Sequence, residues 1–136
     1  MPQIEWDDSF SVNNPEIDDQ HKKWIEIHNK MNVNLMEGDQ KIIGATPSNS
    51  LKEMQDYTRY HFDFEEEYMR KISYPALMEH IKLHKNFDNQ IYEYHREISE
   101  GRMVLSSEII KIIKSWLLDH ILNEDKKYSL FSEEGK

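Results

Sequence analysis

The segment HFDFEEEYMRKISYPALMEHIKLH, residues 61–84, carries two side-chain pairs spaced four apart, His61/Glu65 and His80/His84, on either side of the turn dipeptide Tyr74-Pro75. Residues four apart stack on one face of an α-helix. The surrounding apolar spacing is also helical. Leu51, Met54, Tyr57, Thr58, His61, Phe64, Glu65 and Met69 form one stripe of 3.6-residue period, and Leu77, His80, Ile81, His84, Phe87, Ile91, Tyr94 and Ile98 form another. Two helices joined by one short turn run antiparallel, so both pairs fall at the same end of the helix pair.

The remaining chain reads the same way. Asp18 or Asp19 offers a helix N-cap, after which Trp24, Ile25, Ile27, His28, Met31, Leu35 and Met36 recur at helical spacing as far as Gly38. A second helix is expected from about Leu51 to Lys71 and a third with Pro75 in its first turn, closing at Gly101. SSEIIKIIKSWLLDHILNEDKKYSLF supplies a fourth from Ser106 or Ser107. No strand-like alternation and no internal repeat is present. The expected fold is all-α, an up-down-up-down four-helix bundle with an irregular N-terminal arm. The expected organisation is a single domain, 1–136, with the arm at 1–17, anchored by Trp6 and Phe10, the bundle at 18–130 and a flexible tail at 131–136.

Composition narrows the function. A net charge of −9 without a basic block argues against nucleic acid. There is no cysteine, which removes thiolate metal sites, disulfides and a cysteine nucleophile. No Gly-rich phosphate loop, nucleophile elbow, signal peptide or apolar run of membrane-spanning length is found. A cytoplasmic location without membrane contact is the default expectation.

Bundle topology brings further groups to the level of the two pairs. His21 opens the first helix, and His120 and Asp125 lie near the end of the fourth. Five imidazoles and two carboxylates, contributed by four helices, thus converge. Buried together without a cation they would set lone pairs against lone pairs. His28 and His95 fall roughly 10 and 16 Å along their helices from this level, at about 1.5 Å per residue, and are expected at the core edge or surface. Asp125 stands five residues after His120, about 140° round an ideal helix. Either a π-type bulge intervenes near Leu122–Glu124 or the carboxylate reaches in from the flank, and Glu124 competes with the better phase.

Imidazole and carboxylate without sulfur suit iron, manganese or zinc. Seven donors exceed the needs of one ion or of a four-coordinate structural zinc. Two six-coordinate ions sharing both carboxylates and one oxide or hydroxide would leave a single position for a small ligand. Phe62, Trp116, Leu117 and Ile121 flank the histidines and would wall a dry pocket suited to a diatomic gas.

On WDDSFSV (6–12), IDDQHKK (17–23), YTRYHFDFEEEYM (57–69), YPALMEHIKLHKNF (74–87) and WLLDHILNEDKKY (116–128), the chain resembles the hemerythrin family and most closely its bacterial domains. The shared pattern H…HxxxE…HxxxH…HxxxxD selects Asp125 over Glu124. The resemblance implies two iron ions per chain (Fe2+/Fe3+) with an oxo or hydroxo bridge. His80, His84 and His120 would hold the filled iron, His21 and His61 the open one, and Glu65 and Asp125 would bridge. It further implies reversible O2 binding for carriage, storage or delivery, with azide or chloride as competing anions. The alternative is an O2- or redox-sensing domain fused to or contacting a signalling (chemotaxis) protein. Ferritin-like oxidases need Glu-x-x-His motifs, which no histidine here satisfies, so an enzyme is not expected. Leu117 and Trp116 match the family's pocket. Trp24 departs from it, standing where the family usually has a smaller aliphatic residue, and is expected to narrow the pocket. Asn13 replaces a usual glycine, and the link with Gly44 and Pro47 departs from a continuous helix.

Overall fold

A computed structural model describes residues 4–37, 47–102 and 106–134. Gly38 and Gly44, on the link between the first two helices, lie outside them. The described residues are helical, without strands. After a 3-10 turn at Asp8–Phe10 come α1 (Pro15–Glu37), α2 (Pro47–Lys71), α3 (Leu77–Ser99) and α4 (Ser107–Asp119). A π-helical turn, His120–Asp125, joins α4 to α5 (Lys126–Glu134), making one fourth rod. α2 packs on both α1 and α3, and α4 on α1, so the architecture is a four-helix bundle.

Several boundaries differ from the sequence reading, each for a local reason. α1 starts at Pro15, because Asn14 Oδ1 accepts the N–H groups of Glu16 (3.1 Å) and Ile17 (3.2 Å). Asn14-Pro15 is therefore the cap and first helical position. Asp18 instead holds the arm, accepting Val12 N–H at 2.9 Å and Ser11 Oγ–H at 2.6 Å. Asn13 adopts φ 59°, the left-handed conformation that asparagine tolerates better than most residues. α2 begins at Pro47 rather than near Leu51. Pro75 lies in the turn, two residues ahead of α3, whose N-cap is Ala76. α5 carries the fourth rod to Glu134, past the tail boundary expected at residue 131.

The turn after α2 closes by a bond from Tyr74 N–H to Met69 C=O at 3.0 Å, with Ser73 left-handed at φ 56°. The end of α3 repeats this arrangement, Arg102 N–H reaching Glu97 C=O at 2.9 Å with Gly101 at φ 75°. Both are Schellman closures, the first made by a residue that disfavours that conformation.

Two apolar clusters fill the bundle. The larger includes Trp24, Phe62, Phe87, Ile113, Leu117 and Ile121; the smaller holds Val12, Ile17, Met69 and Tyr128. α1, α2 and the fourth rod contribute to both, α3 adds Leu77 at the edge of the smaller one, and between the two contributions lie polar groups singled out above. Between Ile17 and Trp24 lies His21; between Phe62 and Met69 lies Glu65. Burial of each such apolar side chain stabilises by about 1.5–3 kcal/mol, so the polar layer is held shut from both sides.

Candidate metal centre

His21, His61, Glu65, His80, His84, His120 and Asp125 are all buried, at no more than 3% exposure. Their inward-facing atoms form two overlapping groups: Glu65, His80, His84, His120 and Asp125 in one, and His21, His61, Glu65 and Asp125 in the other. In each group the ligand atoms lie within 4.8 Å of one another. The carboxylates belong to both, and each divides its oxygens between them. Glu65 Oε1 is 3.0 Å from His84 Nε2, while Oε2 is 3.2 Å from His61 Nε2 and 3.4 Å from His21 Nε2. Asp125 Oδ1 is 3.0 Å from His80 Nε2 and 3.1 Å from His120 Nε2, and Oδ2 is 3.0 Å from His21 Nε2.

The π-turn brings Asp125 into this layer. It absorbs one extra residue between His120 and Asp125, so the carboxylate returns to the inner face. Glu124 is left half-buried on the flank, paired with Lys127 at 3.0 Å.

The electrostatics show a site short of positive charge. His80 Nε2 and His120 Nε2 stand 3.0 Å apart, and His84 Nε2 is 3.1 Å from His120 Nε2. Glu65 Oε1, both Asp125 oxygens, His21 Nε2 and His61 Nε2 make no properly directed hydrogen bond despite their short separations. Burial opposes charging of His21 and His80, but the Asp125 and Glu65 carboxylates 3.0–3.4 Å away outweigh it and raise both to about 9. His120 also rises to about 9 against burial, chiefly through the charge of Asp125. Burial and the charge of Glu65 push Asp125 up, yet His120 and His21 hold it below the ordinary carboxylate range. Glu65 is held low against its own burial, first by His61. Burial dominates at His61, which is lowered. Acids held ionised beside imidazoles that attract protons form a layer that a metal cation completes; it would neutralise the acids and take up the facing lone pairs.

Tautomers are fixed from behind. His84 Nδ1–H donates to Glu66 Oε2 at 2.8 Å, and His61 Nδ1–H donates to Gln20 Oε1 at 2.8 Å. In both rings Nε2 then presents a lone pair to the centre. Tyr128 O–H donates to Glu65 Oε2 at 2.9 Å. Sequence reasoning missed these three supports. Gln20 and Glu66 each sit beside a ligand-type residue in sequence, Glu66 inside an acidic run that resembles a solvated face, and Tyr128 carries no signal beyond its place in the fourth helical stretch. Thr58, whose Oγ1 accepts the Trp24 indole N–H at 3.0 Å, was likewise assigned only to packing.

Trp24, Phe62, Leu117 and Ile121 are buried in the larger apolar cluster, and Trp116 is half-buried against it. Phe62 stacks on His84 with centroids 3.7 Å apart, and Trp116 stacks on His120 at 4.4 Å. Trp24 lies 5.0 Å from His61 and 6.3 Å from His21. His28 is fully buried rather than at the core edge, in the half of α1 away from the cluster, and His95 is half-buried.

A family model described as the hemerythrin HHE cation binding domain matches residues 13–129. The chain is 30% identical over 129 residues to a bacteriohemerythrin of Stenotrophomonas maltophilia (strain R551-3), covering 95% of this chain and 81% of that protein. It is 29% identical to a hemerythrin-like protein of Naegleria gruberi, over 90% of this chain and 88% of that one. A crystal structure of wild-type hemerythrin superposes with a TM-score of 0.85 at 25% identity, over 94% of this chain and 96% of that chain. The family match takes in every residue of the buried His/Glu/Asp layer, and the chain belongs to the hemerythrin family.

Proposed function

We propose that the chain binds O2 reversibly at a pair of iron ions, as a carrier, store or donor of oxygen. The observation that carries this reading is the division of the two carboxylates between two histidine groups of unequal size. Glu65 and Asp125 would bridge the ions. His80, His84 and His120 would complete one site, and His21 and His61 would leave a position open at the other. Two ferrous ions, when bound, would supply the electrons that O2 takes up and returns. The protein's part is to hold the Nε2 lone pairs inward and to keep water out. Trp24, Phe62, Trp116, Leu117 and Ile121 would form the ligand pocket; the polar atom of Trp24 is occupied by Thr58. Such a lining admits a small neutral molecule and disfavours the escape of a charged product.

Anaerobic addition of Fe(II) to the metal-free chain, followed by air, tests the reading. Two irons per chain and visible charge-transfer bands that vanish on deoxygenation are expected. One ion per chain without an oxygen-dependent spectrum would overturn it.

A further inference from the structure

The two halves of the centre are supported from behind by groups of different charge. His84, in the three-histidine half, donates its Nδ1–H to the carboxylate of Glu66; His61, in the two-histidine half, donates to the neutral amide oxygen of Gln20, and both bonds measure 2.8 Å. Each ring also packs against an aromatic side chain, His84 in a parallel stack on Phe62 at 3.7 Å and His61 against the tilted Trp24 ring at 5.0 Å. The charge behind the ring is the difference. A carboxylate accepting from Nδ1–H pushes electron density toward Nε2 and makes the imidazole a stronger donor than an amide does. Arg59, which lines the same surface pocket as Glu66, is bonded to Asp88 at 2.8 and 3.2 Å.

We infer that Glu66 is a positioning residue that makes the three-histidine half the tighter metal site, so that the chain loads its two ions in order, first at His80, His84 and His120 and then at His21 and His61. The inference rests on the two-metal reading above and adds to it an order and the residue that sets the order. The count of donors works in the same direction, with three imidazoles against two around shared carboxylates. The three-histidine cage is also closely gathered, with His80 and His84 Nε2 at 3.0 and 3.1 Å from His120 Nε2. The resulting one-metal form would hold a filled first site and an open second one.

Anaerobic titration of the full metal-free chain with Co2+, followed by absorption and calorimetry, tests this without O2. The wild-type chain is expected to bind two ions in two separated steps. Glu66→Gln keeps an acceptor for His84 Nδ1–H but removes the charge, and is expected to weaken the first step by about 10–100-fold. Gln20→Glu is expected to tighten the second step, and the double exchange to close the gap between them. Circular dichroism of each metal-free variant controls for folding. Binding of fewer than two ions by the wild type would defeat the two-metal reading itself. Two ions bound in one unresolved step, or a first step unchanged in a well-folded Glu66→Gln chain, would overturn the order while leaving that reading intact.

Discussion

Trp24 is the side chain through which packing and the proposed pocket are most directly joined. It is fully buried, its indole N–H donates to Thr58 Oγ1, and its ring lies 5.0 Å from His61, 5.5 Å from Phe62 and 6.2 Å from both Phe87 and Trp116. Trp24→Leu keeps part of the apolar volume and opens space beside His21 and His61. Complete truncation of a buried aromatic costs about 3–5 kcal/mol, and leucine retains enough contact to bring this to about 2–3 kcal/mol. The lost hydrogen bond adds about 1 kcal/mol. Thr58 keeps a partner in Met54 Sδ at 3.6 Å, so its hydroxyl is not stranded. Urea unfolding of the metal-free chain should therefore show a loss of about 3–4 kcal/mol, from packing and the hydrogen bond together. Stopped-flow mixing of the iron-loaded chain should show faster O2 uptake and release. Thr58→Val is the control: it strands the indole N–H at a cost of about 1–3 kcal/mol but opens no space by His21. Unchanged O2 rates in Trp24→Leu would remove Trp24 from the ligand path. Equal acceleration in both variants would assign the effect to a loosened α1–α2 contact instead.

Ser73 holds a left-handed backbone that costs a non-glycine residue about 1–2 kcal/mol, partly offset in a glycine variant by about 0.5–1 kcal/mol of chain entropy; Ser73→Gly should raise the Tm by a few degrees, and a lower Tm would contradict the strain. Burial, followed in effect by the opposing Asn29 hydrogen bond and the charge of Lys114, leaves His28 lowered from its usual 6.5. Below about pH 6.5 the unfolded chain therefore binds more protons at this position than the folded one, and stability falls as pH falls. The slope difference between wild type and His28→Gln in urea titrations isolates this component, and identical slopes would refute it. Chelation of the metal should lower the unfolding free energy, and each tenfold rise in free metal above Kd should restore about 1.4 kcal/mol per bound ion; a Tm indifferent to metal would speak against a cation in the layer.

The histidine layer could be read from sequence because helical phase is a local property. Spacings of four, one turn and antiparallel topology suffice to bring His61, Glu65, His80 and His84 together. Asp125 could not be chosen that way, since ideal phase favours Glu124 and the π-turn reverses the choice. The start of α1, expected at Asp18 or Asp19, was misplaced for a different reason. Asn14 and Asp18 are both good caps, and which one serves depends on Ser11 and Val12 reaching Asp18, a contact that only the folded arm supplies. Glu66 was hidden because its role depends on α3 crossing α2 at His84, eighteen residues later.

The π-turn itself is poorer in regular helical hydrogen bonding than the α-helix it interrupts, and it persists because the residues after the bulge are held from outside the rod. Tyr128 O–H reaches Glu65, Ser129 Oγ–H donates to Val12 C=O at 2.7 Å, and Lys126 Nζ–H donates to Ser11 C=O. Reverting to α-helical register would turn these three side chains and Asp125 away from their partners together. Each such bond is worth about 1 kcal/mol, and a buried acceptor left bare costs more. The same arm that receives Ser129 and Lys126 is tied through Asp18 to the first turn of α1, one turn before His21. Residues more than a hundred positions apart thus fix one another, and the bulge that delivers Asp125 is set by the arm as much as by the helix that contains it.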